Sequence, residues 1–261
     1  MRLALVSLLQ AWENKDANFS SCRAFVQKAK AHGAELVVFP EMTLTAFSMN
    51  TVDTAEDPSD SKSVELFRCL AHEFHVSIVF GVVFRHGGKS TNNAIWVDAN
   101  GLVLGSYTKI HPFSFSGEDR FFAGGDEICA ISQASYTIGM TVCYDLRFPE
   151  IYAALGVHCD LIINIANWPA RRIDHWNVLL RARAIENQLF LVGVNRTGLD
   201  GNGLDYVHSS MVIDPNGVPL QPVYAESQVD IYDVDLSFKH RFRQSFSTTQ
   251  DRKASFYKKI L

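Results

Sequence analysis

The chain has 261 residues, of which 47% are apolar, 20% charged and 11% aromatic, a balance that sets aside disordered, collagen-like and disulfide-scaffold readings. At about 150 residues per domain, this length predicts one large domain over residues 1–261 with ample chain to bury a core. The net charge of −4 and the thin basic clusters at Arg171-Arg172, 239–243 and Lys258-Lys259 argue against a nucleic-acid partner.

Short β-rich runs alternate with longer helical segments. Residues 3–9 are predicted as a strand, 17–31 as a helix with Phe19, Cys22, Val26 and Ala29 on one face, and 35–39 as a buried strand ended by Pro40. A polar loop at 50–61 leads to a helix at 64–74 and a strand at 77–84, closed by the turn Arg85-His86-Gly87-Gly88. A hairpin of 93–97 and 102–107 follows, and the Asn100-Gly101 pair in its turn tolerates positive φ. Strands at 136–142 and 160–165 flank a short helix at 149–155. The helix at 174–187 has a mixed face of Trp176, Leu179, Leu180, Arg183 and Ile185. A strand at 189–194, a second hairpin of 211–214 and 218–221, and a last strand at 229–235 complete the pattern. Residues 250–261 read as a polar-then-aromatic tail that either packs on a partner subunit or frays. Hairpins mixed with βαβ links define an α/β or α+β protein whose sheets are buried against helices.

Five cysteines, Cys22, Cys69, Cys129, Cys143 and Cys159, are odd in number and contain no C-x-x-C pair. This predicts a reducing, cytoplasmic setting without structural zinc. The apolar start is at the short limit for a signal peptide and runs into Gln10, Trp12, Glu13 and Asn14 with no small-residue cleavage site. No apolar run approaches the roughly 18–20 residues of a membrane helix, so no membrane partner is expected.

Several motif fragments fail in context. Gly88-Lys89-Ser90 resembles the end of a phosphate-binding loop, but the required glycine is replaced by Val83. Ser106-Tyr107-Thr108-Lys109 matches S-x-x-K, yet it lies on a predicted strand and neither partner motif occurs. There is no G-x-S-x-G elbow, and the nine histidines show no H-x-x-x-H spacing, so no metal site is expected.

Three reactive residues each follow a predicted strand directly. Glu41 comes after ELVVF as Phe39-Pro40-Glu41, Lys109 after LVLGSY, and Cys143 after YTIGMTV. Singly, each has an ordinary reading: a small buried hydrophobe for Cys143, a solvated turn acid for Glu41, a surface cation for Lys109. Together, a carboxylate, an ammonium and a thiol at strand ends are what a covalent amidase needs. A free thiol is only a few per cent ionised at neutral pH and needs activation. Glu41 would take its proton and Lys109 would favour the thiolate. Lys109 and the backbone N–H of Tyr144 would then stabilise the oxyanion formed on attack at an amide carbonyl. Glu41 would return the proton to the leaving ammonia and next activate water against the thioester.

The segments Phe39-Pro40-Glu41-Met42, Tyr107-Thr108-Lys109-Ile110-His111 and Val142-Cys143-Tyr144-Asp145-Leu146-Arg147-Phe148-Pro149-Glu150, in this order, resemble the three signatures of the nitrilase (carbon–nitrogen hydrolase) superfamily. Asn167-Trp168-Pro169-Ala170, His175-Trp176, residues 181–188 and Asn195-Arg196-Thr197-Gly198 are also similar to family segments, most of all to the omega-amidase branch and its YafV-type members. The resemblance implies a four-layer α-β-β-α sandwich, assembled as a homodimer. It also implies a Glu41–Lys109–Cys143 triad, no cofactor, and a second, substrate-positioning glutamate at Glu118. Where related chains carry glycine before a hairpin strand, this one has His208, which places the nearby loop in question. Asp145 and Arg147 are expected to hold the turn around Cys143, as an ion pair or through backbone bonds, and His111 to make a structural hydrogen bond. Trp168 either walls the pocket or packs in the core. Arg171 or Arg172 is a candidate clamp for a substrate carboxylate. The expected partner is a small-molecule amide, the terminal amide of a dicarboxylic acid monoamide such as 2-oxoglutaramate or 2-oxosuccinamate. Nitrile, carbamoyl or deaminated-glutathione hydrolysis on the same triad, and a non-catalytic binding protein of the same fold, stand as alternatives.

Overall fold

The structure is a computed structural model that describes residues 1–260. Two sheets form its frame. The larger has seven strands in the spatial order Tyr224–Glu226, Val229–Asp233, Arg2–Val6, Leu36–Val38, Ser77–His86, Lys89–Val97 and Val103–Thr108. The strands at Arg2–Val6, Leu36–Val38 and Ser77–His86 run parallel, and antiparallel strands flank them on both sides. The smaller sheet has five strands, Met211–Ile213, Phe190–Asn195, Leu161–Ala166, Thr137–Val142 and Cys129–Ser132. Its middle three are parallel.

The two-residue period of the strands assigns each face. Leu3, Leu5, Leu36, Val38, Val79, Ala94 and Trp96 join Ile138, Met140, Val142 and Ile163 of the second sheet in one core. Their sequence neighbours Ala4, Val6, Val37, Phe39, Ile78, Phe80, Ile95 and Val97 form a second core with Cys22, Val26, Phe67 and Leu70 from the helices Lys15–Ala31 and Lys62–Phe74. The other sheet is covered by Pro149–Leu155 and Ile173–Asn187. A Cβ at Gly139 would meet Leu155, and one at Gly193 would meet Leu180 and Trp176. Helices, sheet, sheet and helices make four layers, the α/β sandwich expected from the sequence.

Element ends follow local chemistry. Asn14 caps Lys15–Ala31 by accepting from the N–H of Ala17 at 3.0 Å, and Gly33 at φ 77° lets the chain turn into the next strand. Gly87-Gly88 closes a tight hairpin in which His86 pairs with Lys89, so the second strand begins four residues before the expected 93–97. The polar stretch expected to be loop holds a short helix at Thr51–Thr54. The second predicted hairpin keeps only one strand, Met211–Ile213, joined to its return by the single bridge Ile213↔Pro219, whose proline lacks a donor for a ladder. In the tail, Ala254–Ile260 is an exposed helix held through Arg252, whose Nη2 donates to the Glu186 carbonyl at 3.0 Å and to Asn187 Oδ1 at 2.7 Å. Leu261 lies outside the described residues.

Candidate active site

The site forms where strands of both sheets end. Glu41 leaves the strand Leu36–Val38, Lys109 follows Val103–Thr108, Cys143 follows Thr137–Val142, and Asn167-Trp168 follow Leu161–Ala166. Glu41, Lys109 and Glu118 are 0–1% exposed. Lys109 Nζ stands 2.9 Å from Glu41 Oε1 and 2.9 and 3.0 Å from the two oxygens of Glu118. Asn92 Nδ2 bridges the same carboxylates, donating to Glu41 Oε1 at 2.7 Å and to Glu118 Oε1 at 3.1 Å. The second oxygen of Glu41 accepts the Asn167 N–H at 2.8 Å.

The approach of Glu41 is fixed by Gly81 on the neighbouring strand. A Cβ at that position would lie 2.3 Å from the Met42 nitrogen and 2.8 Å from the Glu41 carbonyl carbon. Backbone atoms cannot yield as a side-chain tip can. We therefore expect Gly81→Ala to lower kcat about 100-fold by displacing Glu41 and to destabilise the fold by about 1–3 kcal/mol. Steady-state kinetics beside urea unfolding checks both, and unchanged kinetics would show that the Glu41 segment tolerates the shift.

Cys143 sits in a turn at φ 48°, a left-handed conformation that strains a residue with a side chain. Asp145 holds this turn. Its carboxylate accepts from the Val142 N–H at 3.1 Å, the Tyr107 hydroxyl at 2.8 Å and the His111 N–H at 3.0 Å, and His111 Nδ1 lies at 2.9 Å. One buried acid thus ties the Cys143 turn to both flanks of Lys109. His111 has the structural role expected of it, stacked on Phe148 at 3.6 Å. The ion pair expected as one option between Asp145 and Arg147 is absent among the described residues. Arg147 turns instead toward Trp168 and Tyr144.

Charge explains the resting state. Burial pushes the Cys143 thiol well above its usual range, and the Glu41 and Glu118 carboxylates push it further while Lys109 opposes them. Burial also works against the Lys109 ammonium, but the two glutamates outweigh it and hold the lysine well above its ordinary value. Glu118 is raised by burial and by Glu41, against the pull of Lys109. A thiolate here would be a third anion facing one cation. Lys109 pulls toward the thiolate, as the sequence suggests, but burial and the two carboxylates outweigh it, so a base must take the Cys143 proton during the reaction.

The Cys143 sulfur opens on a cavity of about 190 Å³. Phe47, Phe113, Tyr144, Trp168 and Tyr206 form its aromatic walls, and Arg147, Arg171 and Arg172 also line it. Trp168 is 3% exposed, so it both walls the pocket and packs in the core, and its Nε1 donates to the Arg172 carbonyl at 2.8 Å. Arg172 is half-buried with its guanidinium 5.1 Å from the Phe113 ring, whereas Arg171 is exposed. His208 does not line this cavity. Its Nε2 meets Asp230 Oδ2 at 2.6 Å, pinning its loop to the strand Val229–Asp233.

Sequence reasoning passed over three amides. Asn92 bridges the two glutamates. Asn167 donates its side-chain amide to the Glu41 carbonyl at 2.6 Å, and its own carbonyl lies 3.9 Å from Cys143 Sγ. Gln10 Nε2 donates to the carbonyls of Glu41, Met42 and Thr43 at 2.9–3.1 Å. The available signals are the pair Asn92-Asn93 beside a strand-like run and the place of Asn167 at the head of the family-like segment Asn167-Trp168-Pro169-Ala170. Among the described residues, no group of three or more His, Cys, Asp or Glu side chains is arranged for a metal ion, and no helix is long and apolar enough to cross a membrane.

Comparison with known proteins agrees with this geometry. The model of the carbon-nitrogen hydrolase family matches residues 2–244. The chain belongs to the carbon–nitrogen hydrolase family. Within that family it is 32% identical over 254 residues to the omega-amidase YafV of Escherichia coli strain K12, covering 96% of each chain. It is 28% identical over 242 residues to the 2-oxoglutaramate amidase of Bacillus subtilis strain 168, covering 92% of this chain and 93% of that one. Among solved structures, XC1258 of Xanthomonas campestris, a CN-hydrolase superfamily protein with an arsenic adduct in its active site, superposes with a TM-score of 0.89 at 32% identity over 97% of each chain. The protein is accordingly a carbon–nitrogen hydrolase acting on non-peptide amide bonds.

Proposed function

We propose that this hydrolase cleaves the terminal amide of a small dicarboxylic acid monoamide, 2-oxoglutaramate or 2-oxosuccinamate in type, through a Cys143 thioester. The observation that carries the substrate reading is the cavity itself. Arginine side chains without carboxylate partners among the described residues line it above a buried thiol, and relatives spanning nearly the whole chain are an omega-amidase and a 2-oxoglutaramate amidase. Its volume of about 190 Å³ is well below the roughly 300–1,000 Å³ of pockets for drug-sized ligands, which suits a short acid amide. Of the two arginines named as carboxylate clamps, the half-buried Arg172 is better placed than the exposed Arg171.

In this reading Glu41 removes the thiol proton as sulfur attacks the amide carbon. The resulting oxyanion is met by Lys109 Nζ and the Tyr144 N–H, and losing such a donor typically costs about 3–4 kcal/mol. Glu41 delivers its proton to the nitrogen, the C–N bond breaks and ammonia leaves. Water then attacks the thioester while Glu41 takes its proton. Collapse releases the carboxylic acid, and the proton returns to the Cys143 sulfur. Glu118 holds Lys109 in place and lies next to Glu41 through Asn92. The reading includes a single domain, a homodimeric assembly and a cytoplasmic setting.

The test is ammonia release from 2-oxoglutaramate by wild type beside Cys143→Ala. Turnover by wild type that disappears in the variant is expected. Turnover that survives in the variant would remove the covalent step, and a wild type inert toward this compound but active on nitriles or carbamoyl compounds would replace the substrate.

A further inference from the structure

We infer that His208 is a positioning residue: its ion pair with Asp230 sets the cavity wall carried by residues 204–210 and makes the affinity for substrate fall as pH rises. The inference rests on the reading of the Cys143 cavity as the substrate site and adds to it a residue that lies outside that cavity.

Residues 204–210 border the cavity at two points. Leu204 and Tyr206 line it directly. Further along, Ser209 Oγ accepts from Asn195 Nδ2 at 3.0 Å, and Asn195 also accepts the Trp168 N–H at 2.7 Å and donates to the Trp168 carbonyl at 2.9 Å. The Ser209 carbonyl accepts from Trp176 Nε1 at 2.9 Å, and the Trp176 ring stands 5.5 Å from that of Trp168. His208 falls between these two stretches of wall. Its Nε2, 2.6 Å from Asp230 Oδ2, ties the segment across to the larger sheet.

The charges around the segment differ in how they answer to pH. The strand that carries Tyr206 is two residues long and pairs with Gly198-Leu199. The Tyr206 hydroxyl donates to Asp200 at 3.0 Å, and its ring stands 4.7 Å from the Arg196 guanidinium. Burial and Asp200 push the tyrosine well above its ordinary value, so it stays neutral, and an arginine stays charged. His208 is the anchor that titrates near neutrality. Asp230 is 7% exposed, on the strand between Tyr224–Glu226 and Arg2–Val6, and among the described residues His208 is the one cationic side chain paired with it. The hydrogen bond to Asp230 holds the imidazole above its ordinary value. Burial opposes it, and the Asp230 charge and the Ser227 backbone add to it.

The tie is strongest with the imidazolium and weakens to a neutral hydrogen bond as the proton leaves. Because the folded-state pKa is raised, the added hold is complete below the ordinary imidazole value of about 6.5 and is lost as pH climbs through the raised one. The wall between Tyr206 and Ser209 then loosens, and a smaller fraction of the molecules holds the cavity ready for substrate. That raises KM and leaves the Cys143 chemistry as it was.

The test measures kcat and KM for 2-oxoglutaramate from pH 6 to pH 9 in wild type, His208→Lys and His208→Gln. Lysine keeps a cation throughout that range, and glutamine keeps a donor without charge. Relative to His208→Lys, the KM of wild type should rise about 5-fold from the lower pH to the higher, that of His208→Gln should stand about 5-fold up at both, and kcat should follow one common profile. A KM ratio that is constant with pH, or a kcat that falls as KM rises, would leave His208 a structural contact and overturn the inference. Hydrogen exchange without substrate supplies a second readout. Corrected for intrinsic rate, protection at 204–210 should fall across the same pH range in wild type and hold in His208→Lys. Equal protection in the two proteins overturns the inference. A wild type inert toward 2-oxoglutaramate, whose protection falls with pH while that of the lysine variant holds, would keep the positioning role and discard only the named substrate.

Discussion

Replacing Lys109 by methionine is expected to damage stability and turnover together, and to do so in a pH-dependent way. Its ammonium lies within 3.0 Å of Glu41 and Glu118, both fully buried. Methionine keeps the apolar stem and deletes the charge, leaving two carboxylates joined only through Asn92. Breaking a buried pair from one side costs about 3–5 kcal/mol. Buried carboxylates stripped of their cation take up protons more readily folded than unfolded. The folded-state pKa rises, so the penalty is small below the unfolded carboxylate pKa and grows as pH rises through it. The gap between wild type and Lys109→Met in urea unfolding should therefore be wider at pH 8 than at pH 5, and kcat should fall at least about 1,000-fold at both. Adding Glu118→Gln should restore much of the stability and none of the turnover. A single variant as stable as wild type at pH 8 would mean that the glutamates are already neutral there.

What the sequence made legible, and what it did not, divides along the range of the interactions. Glu41, Lys109 and Cys143 stand directly after apolar strand runs, so their convergence follows from two sheets ending on one side. Asn92, Asn167 and Gln10 escaped because an amide carries no reactivity of its own. Their roles come from partners 24–126 residues away along the chain. The missed strands Cys129–Ser132 and Tyr224–Glu226 are edge strands of four and three residues, too short to display a two-residue period. The helix Ser237–Ser245 shows little apolar pattern because it docks through one aromatic, Phe238, 6.4 Å from the Phe190 ring, and one cation, Lys239, whose Nζ donates to the Cys159 carbonyl and to Asp160 Oδ1, both at 2.8 Å. Arg171 and Arg172 were equivalent as neighbours in sequence. The short 3-10 turn Ala170–Arg172 separates them, leaving one exposed and one against Phe113.

Glu41→Gln is expected to separate two properties that are easily conflated, the acidity of the thiol and the rate of the reaction. The Glu41 charge raises the Cys143 thiol, second only to burial, and Lys109 is the one group that lowers it. A neutral glutamine keeps the shape, accepts on its one carbonyl oxygen only the donors of one side, Lys109 and Asn92 or the Asn167 N–H, and removes the neighbouring anion. The thiol becomes easier to ionise, because Lys109 then answers to Glu118 alone. Iodoacetamide should label Cys143 faster in Glu41→Gln than in wild type at pH 8, with its rate rising at lower pH than in wild type. Turnover should move the other way, falling by about 100- to 10,000-fold, because nothing is left to shuttle the proton from sulfur to the leaving nitrogen and from water in the second half. Labelling and kcat that fell together would instead assign Glu41 to holding the thiol in place. Opposite movements are the signature of a base whose charge hinders the ionised nucleophile at rest and whose proton transfer is indispensable once substrate is bound. An active site with two buried acids and one lysine around a thiol must carry that tension, since the carboxylate that accepts the proton is the same charge that keeps it on sulfur until the amide arrives.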